Sequence, residues 1–224
     1  MENGKRREEL TMSAQVNTAH SQISDPVKSK LPLEYQTLQG QMNILGFWIF
    51  LGAEIILFST LFGVFSVLGT RYAGGPQPSD IYMIKEVLIQ TVLLLTSSFT
   101  CGLAITSMRH GSLKGLIGWM VVTLLLGAGF LVMEINEFTH YVHEGATMQT
   151  SAYLSSLFVL LGTHGLHVTL GIGWAILVMI QLLQRGLTPQ TATKTFIIGL
   201  YWHFLDVIWI FIFTFVYLKG LVVG

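Results

Sequence analysis

Charge is scarce in this sequence. Only 11% of its 224 residues are Asp, Glu, Lys or Arg, against about 25% in an ordinary soluble domain, and long stretches contain none. That argues against a soluble globular fold and for an integral membrane protein. Net charge is also missing, with 12 basic residues against 12 acidic ones, so nucleic acid is not expected as a partner. Cysteine is nearly absent. Cys101 alone can form neither an intrachain disulfide nor a Cys-x-x-Cys metal site, and its apolar setting marks it as a small core residue. Alternating segments of about ten residues, the mark of a membrane β-barrel, are missing too. What is there is hydrophobic, at 52% of the chain.

The first 41 residues are of another kind. They hold Lys5, Arg6, Arg7, Glu8 and Glu9, several Ser, Gln and Asn, and two prolines. With no apolar core of a signal peptide, residues 1–41 read as a polar tail, flexible alone and ordered only against a partner. Residues 42–224 read as a membrane domain. Five apolar runs follow at about 43–68, 84–108, 115–138, 152–183 and 196–218, each long enough to cross ~30 Å of hydrocarbon as a helix. The fourth is overlong, which implies tilt or an interfacial start. Turn chemistry marks Thr70-Arg71-Tyr72-Ala73-Gly74-Gly75-Pro76 and the polar stretch His140 to Thr150. The expected fold is all-α, a polytopic five-helix bundle. Small residues in the first span (Gly46, Gly52, Ala53, Ser59, Gly63) and the fourth (Gly162, Gly165, Gly171, Gly173) would let helices approach closely.

Lys and Arg set the expected orientation. Nine lie on one side of the five spans: Lys5, Arg6, Arg7, Lys28 and Lys30 in the tail, with Arg109, Lys114, Arg185 and Lys194 in loops. Three lie on the other: Arg71, Lys85 and Lys219. The side with nine is expected in the cytoplasm, with the N-terminus inside and the C-terminus outside.

Seven ionisable groups fall within these spans or at their ends: Glu54, Glu134, Glu137, His164, His167, His203 and Asp206. Charge at membrane depth costs roughly 3 kcal/mol per residue on insertion scales, so such residues are functional or assembly candidates. Glu54 and Asp206 fall near mid-membrane at similar depth. Glu134 and Glu137 share a face near the outer end of the third span, and His164 and His167 share one in the fourth. His203 and Asp206 are three apart and are expected to satisfy each other or polar groups on the fourth helix. Glu54 stands alone in its span. A solitary carboxyl in such a setting is expected to be protonated, which suits proton carriage or a hydrogen bond to another helix. Haem ligation would need two imidazoles at one level, but the helical rise separates His167 and His203 by roughly 10 Å. The Glu-x-x-His pattern of carboxylate metal bundles is absent. No metal or catalytic site is expected in the chain. The plain reading is hydrogen bonds across helix contacts, each contributing on the order of 1 kcal/mol.

Four stretches carry a resemblance: Gly46-Phe47-Trp48-Ile49-Phe50-Leu51-Gly52-Ala53-Glu54-Ile55-Ile56-Leu57-Phe58, Glu134-Ile135-Asn136-Glu137-Phe138, Gly162-Thr163-His164-Gly165-Leu166-His167-Val168 and Tyr201-Trp202-His203-Phe204-Leu205-Asp206-Val207-Ile208-Trp209. In this order, from about Asn43 to Leu218, they resemble subunit III of haem-copper terminal oxidases. The short five-helix form of bacterial quinol oxidases is the most similar, including Arg185-Gly186-Leu187-Thr188-Pro189-Gln190-Thr191. The resemblance implies a multi-pass subunit of the bacterial cell membrane with no redox centre of its own. Haems and copper would lie in catalytic subunit I, with subunit II and a small subunit IV completing the complex and membrane lipids as further partners. It implies a phospholipid held between helices and support of proton uptake and of the catalytic subunit's stability. It also implies a carboxyl at Glu54 that reacts with hydrophobic carbodiimides. The complex would oxidise quinol, reduce oxygen to water and pump protons.

The longer family form has two more N-terminal helices around a lipid cleft; here the polar tail stands in their place. A cytochrome c oxidase subunit III, a membrane cytochrome with its own cofactor and a proton-coupled transporter are the alternatives. The last would call for a repeat between halves and broken helices, neither of which is evident.

Overall fold

The computed structural model describes residues 31–72 and 84–220. Most of the tail and the Ala73–Pro76 part of the expected turn lie outside them. A 3-10 turn, Leu33–Tyr35, precedes five helices: α1 (Leu38–Leu68), α2 (Ile84–Arg109), α3 (Leu113–His143), α4 (Ala152–Arg185) and α5 (Pro189–Ile212). A π-helical turn, Phe213–Leu218, continues α5. All five are long and apolar enough to cross a membrane. The chain is an all-α, multi-pass membrane protein.

The helices outrun the apolar stretches because different chemistry sets the two kinds of boundary. Hydropathy marks what faces hydrocarbon, whereas helix ends follow backbone capping. Thr37, Ser112, Ser151 and Thr188 are N-caps whose side chains accept from the backbone N–H three residues on. Hence α1 begins at Leu38 and α5 at Pro189, several residues ahead of their apolar runs. The Pro supports the start of α5, since its fixed φ suits the first helical turn. At the other ends α3 and α4 stop against Gly145 and Gly186, at φ of 78° and 67°, a region that favours glycine.

Helix α5 is the centre. Over its most apolar window 56% of residues are buried, against 17% for α1. It packs on α1, α2 and α4, and Trp202 lies so close over Gly127 of α3 that a Cβ there would meet the indole at 2.6 Å. Helix α1 joins by a narrow seam. Its buried residues Ile44, Leu51, Phe58 and Phe65 recur every seven positions, and Phe47, Glu54, Leu61 and Leu68, three further on, are half-buried. This is the two-position heptad seam of helices crossing at a shallow angle. Glu54 therefore sits in the seam, not on the lipid face. The glycines of α1 do not serve that contact: a Cβ on Gly46, Gly52 or Gly63 would meet nothing within 4 Å.

The start of α1 and the ends of α2 and α5 nearest it are tied by an ion pair. Arg109 at the end of α2 donates through Nε (3.0 Å) and Nη2 (2.8 Å) to Glu34 Oε1. Thr193 of α5 donates to the Glu34 carbonyl at 2.9 Å. Residues Leu33–Gln41, grouped on sequence with the polar tail, are thus docked against α2 and α5. Glu34 is wholly buried and its Oε2 makes no bond, while Arg109 is half-exposed. Removing the cation strands a buried carboxylate, which costs more than removing the carboxylate's charge. Arg109→Met is expected to destabilise the bundle by about 1–2 kcal/mol, and Glu34→Gln by clearly less. Thermal unfolding in detergent measures both; equal midpoints for the two variants would contradict this asymmetry.

Candidate functional site

The seven ionisable groups fall into three clusters, each built where α1, α3 or α5 meets its neighbours. The first is on α3. Glu137 accepts from Gln90 Nε2 of α2 at 3.1 Å, from Tyr217 Oη of the π turn at 2.9 Å and from Tyr141 Oη one turn on. One carboxyl thereby joins α2, α3 and the end of α5. Glu134, one turn nearer the membrane centre, is as deeply buried, yet neither oxygen has a partner. It lies against Gly165 of α4, where a Cβ would come within 2.8 Å of Oε2. His164 is fully buried and neither ring nitrogen is bonded. Its ring stacks on Trp209 at 5.5 Å and meets the edge of Phe130 at 5.9 Å. The expected cross-helix hydrogen bonds are therefore made by Glu137 and not by Glu134 or His164. Those two are held by close packing of rings and backbone.

In the second cluster Glu54, alone in its own span, makes the hydrogen bond to another helix that was one of its two expected uses. Its Oε2 lies 3.1 Å from His167 Nε2 of α4. The other ring nitrogen, Nδ1, is 2.7 Å from the Thr163 carbonyl. A carbonyl can only accept, so Nδ1 carries a hydrogen. Nε2 must then share one proton with the carboxyl, as neutral imidazole with carboxylic acid or as imidazolium with carboxylate. In both forms the pair is neutral overall and stores one proton on the N–O axis. Both side chains are about one-seventh exposed, at 15% for His167 and 13% for Glu54. Phe58 packs edge-on to the imidazole at 5.3 Å, and Tyr201 Oη donates to the His167 carbonyl at 3.1 Å. The identity of the partner was not legible along the chain, because the two residues are 113 positions apart.

The third cluster joins His203 and Asp206, which act on each other through charge, and adds a partner from α2 where α4 was expected: Ser98. Ser98 Oγ lies 2.7 Å from His203 Nδ1 and its hydroxyl faces the Asp206 carboxylate. Other α2 hydroxyls repeat this service. Ser97 accepts from Trp202 Nε1 at 2.9 Å, and Thr91 accepts from Trp209 Nε1 at 3.1 Å. These α2 hydroxyls were missed on the sequence. Their signal was the Thr96-Ser97-Ser98 and Thr100 cluster inside an otherwise apolar helix. Among the described residues no group of three or more His, Cys, Asp or Glu is arranged to hold a metal, and Cys101 is free and buried.

The family model for cytochrome c oxidase subunit III matches residues 33–221. The chain belongs to that family. It is 65% identical over 193 residues to quinol oxidase subunit 3 of Bacillus spizizenii, covering 86% of this chain and 95% of that relative. The Bacillus subtilis quinol oxidase subunit 3 is 64% identical over the same shares. A probable quinol oxidase subunit 3 of Staphylococcus haemolyticus is 52% identical over 192 residues, covering 85% of this chain and 95% of the relative. As a subunit III, the chain has the family's match over all five helices and the Leu33–Tyr35 turn.

Within this subunit III, Glu137 is the polar group tied to the most helices. Gln90→Leu and Tyr217→Phe each remove one donor to it and leave the carboxyl buried. Each is expected to cost about 1–3 kcal/mol, read as a lower unfolding temperature of the purified chain in detergent. A neutral effect of both would show that Glu137 does not depend on these donors.

Proposed function

We propose that this chain supports a respiratory oxidase without carrying any of its redox chemistry. The observation that carries this reading is the 65% identity over 95% of a quinol oxidase subunit 3. The chain is subunit III of a quinol oxidase, a non-catalytic part of an oxidoreductase complex in the respiratory chain. Haems and copper belong to catalytic subunit I, with subunit II and a small subunit IV as further partners in the bacterial cell membrane. The complex passes electrons from quinol to oxygen and pumps protons.

Three finer proposals follow. The first is orientation. The nine-to-three excess of Lys and Arg favours a cytoplasmic N-terminus, with the polar tail on that side. Cysteine at Gln149 should then react with an impermeant maleimide on intact cells, and cysteines at Ser112 and Gln190 should not. The opposite pattern would reverse the orientation. The second is lipid. An apolar groove of about 320 Å³ between α1 and α5, lined by Trp48, Leu51, Ile55, Leu200, Phe204 and Val207 among others, suits a phospholipid acyl chain. The third is a role for Glu54. Paired with His167 near mid-membrane, it can pass a proton between carboxyl and imidazole while the pair stays neutral overall, which suits support of proton uptake. Glu134, Glu137, His164, His203 and Asp206 serve the bundle's structure.

A hydrophobic carbodiimide needs a protonated carboxyl in an apolar setting and is expected to modify Glu54. Glu54→Gln should block that labelling and leave assembly intact. Deleting the chain should leave the haem spectrum of the remaining subunits unchanged, with initial oxidase activity that decays faster during turnover. Loss of the haems would instead make the subunit an obligatory scaffold. Immediate loss of all oxygen reduction in Glu54→Gln would overturn the supporting role.

A further inference from the structure

His167 is held more firmly than one hydrogen bond to Glu54 requires. Three helices fix its ring and backbone. Within α4, Nδ1 donates to the Thr163 carbonyl one turn back, at 2.7 Å. From α1, Phe58 packs edge-on to the imidazole at 5.3 Å. From α5, Tyr201 Oη donates to the His167 carbonyl at 3.1 Å. Tyr201 comes this close because Gly171 has no side chain: a Cβ there would stand 3.0 Å from the tyrosine ring. An imidazole so constrained presents one nitrogen, Nε2, in one direction, toward Glu54 Oε2 at 3.1 Å. Support of this kind, from residues outside the reacting pair, is what keeps a functional group in its working geometry.

The same contacts limit where a proton can go. A carbonyl oxygen accepts a hydrogen bond and does not take up the proton itself, so Nδ1 is closed as an exit. A proton on Glu54 can move from Oε2 to Nε2, breaking the O–H bond and forming an N–H bond, which leaves carboxylate beside imidazolium. It leaves His167 only by the reverse step. The opening of the pair is therefore at Glu54. Its Oε1 makes no hydrogen bond and, unlike the oxygens of Glu134, is not sealed from the surface. His164, one turn away on α4, cannot extend the path, because both its ring nitrogens are sealed in the interior without a bond.

We propose that His167 is the positioning residue of Glu54: it takes the carboxyl proton inside a closed pair, and Glu54 is the single point at which the pair exchanges protons with its surroundings. This rests on the reading of Glu54 as a proton-exchanging group and adds the residue on which that exchange depends.

A double-mutant cycle in the assembled oxidase tests it. His167→Leu and Glu54→Gln are each expected to hasten the decay of activity during turnover. The double variant is expected to decay at a rate within about twofold of either single one, since the two residues act as a unit. Effects that multiply in the double variant would overturn the proposal. So would an unchanged decay in His167→Leu beside a faster one in Glu54→Gln. An unchanged decay in Glu54→Gln would instead take down the reading of Glu54 itself, and the proposal with it. Where His167→Leu fails to assemble, His167→Gln, which is polar and of similar reach, replaces it in the cycle. Nitrogen-15 NMR of the histidine-labelled complex adds a readout that packing alone does not move. Nδ1 of His167 should carry a hydrogen in the unaltered chain and in Glu54→Gln, and only Nε2 should shift between the two, toward an unprotonated nitrogen. A hydrogen on Nε2 with none on Nδ1, or an Nε2 signal indifferent to Glu54→Gln, would overturn the proposal.

Discussion

Hydrocarbon offers no hydrogen bonds, and this one constraint organises the bundle. Each polar side chain at membrane depth must find its partner on another helix, and doing so fixes which helices are neighbours. Glu137 holds α2 and the end of α5 to α3 through Gln90 and Tyr217. His167 holds α4 to α1 through Glu54. Ser97, Ser98 and Thr91 hold α2 to α5. Apolar packing alone distinguishes these arrangements poorly, since lipid tails are as apolar as leucine.

Seen this way, α2 and α5 form a polar spine inside an apolar protein. Helix α5 brings indoles and an imidazole, and α2 brings hydroxyls. Both partners are modest in polarity, and the indole donors of α5 are satisfied by α2 hydroxyls. Glu134 and His164 are the exceptions, buried with no bond. Aromatic contacts and the closeness of Gly165 hold them in place. A further charge pair, Glu34 with Arg109, lies at the helix ends instead, where Arg109 is half-exposed.

Much of this was legible in the sequence. Five apolar runs gave five helices, and the ionisable residues stood out because so little else in the spans is polar. The helix ends were legible too, but in a different code: Thr37, Ser112, Ser151 and Thr188 announce them by capping, and hydropathy does not register caps. The heptad of Ile44, Leu51, Phe58 and Phe65 was likewise present and hidden, because every neighbouring position in α1 is also apolar. Partners were not legible. His203 and Asp206, three apart on one helix, suggested each other, but not Ser98 of α2, which reaches both.

The sequence by itself determined that the chain lives in a membrane, how many times it crosses and which few residues carry its polarity. Those are local properties, set by runs of residues along one helix. Only the tertiary structure decided that Glu54 meets His167, that α5 is the central helix and that Ser98 serves His203. These depend on how helices rotate and lean against one another. That choice is made by contacts between residues 30 to 160 positions apart, and no local pattern encodes it.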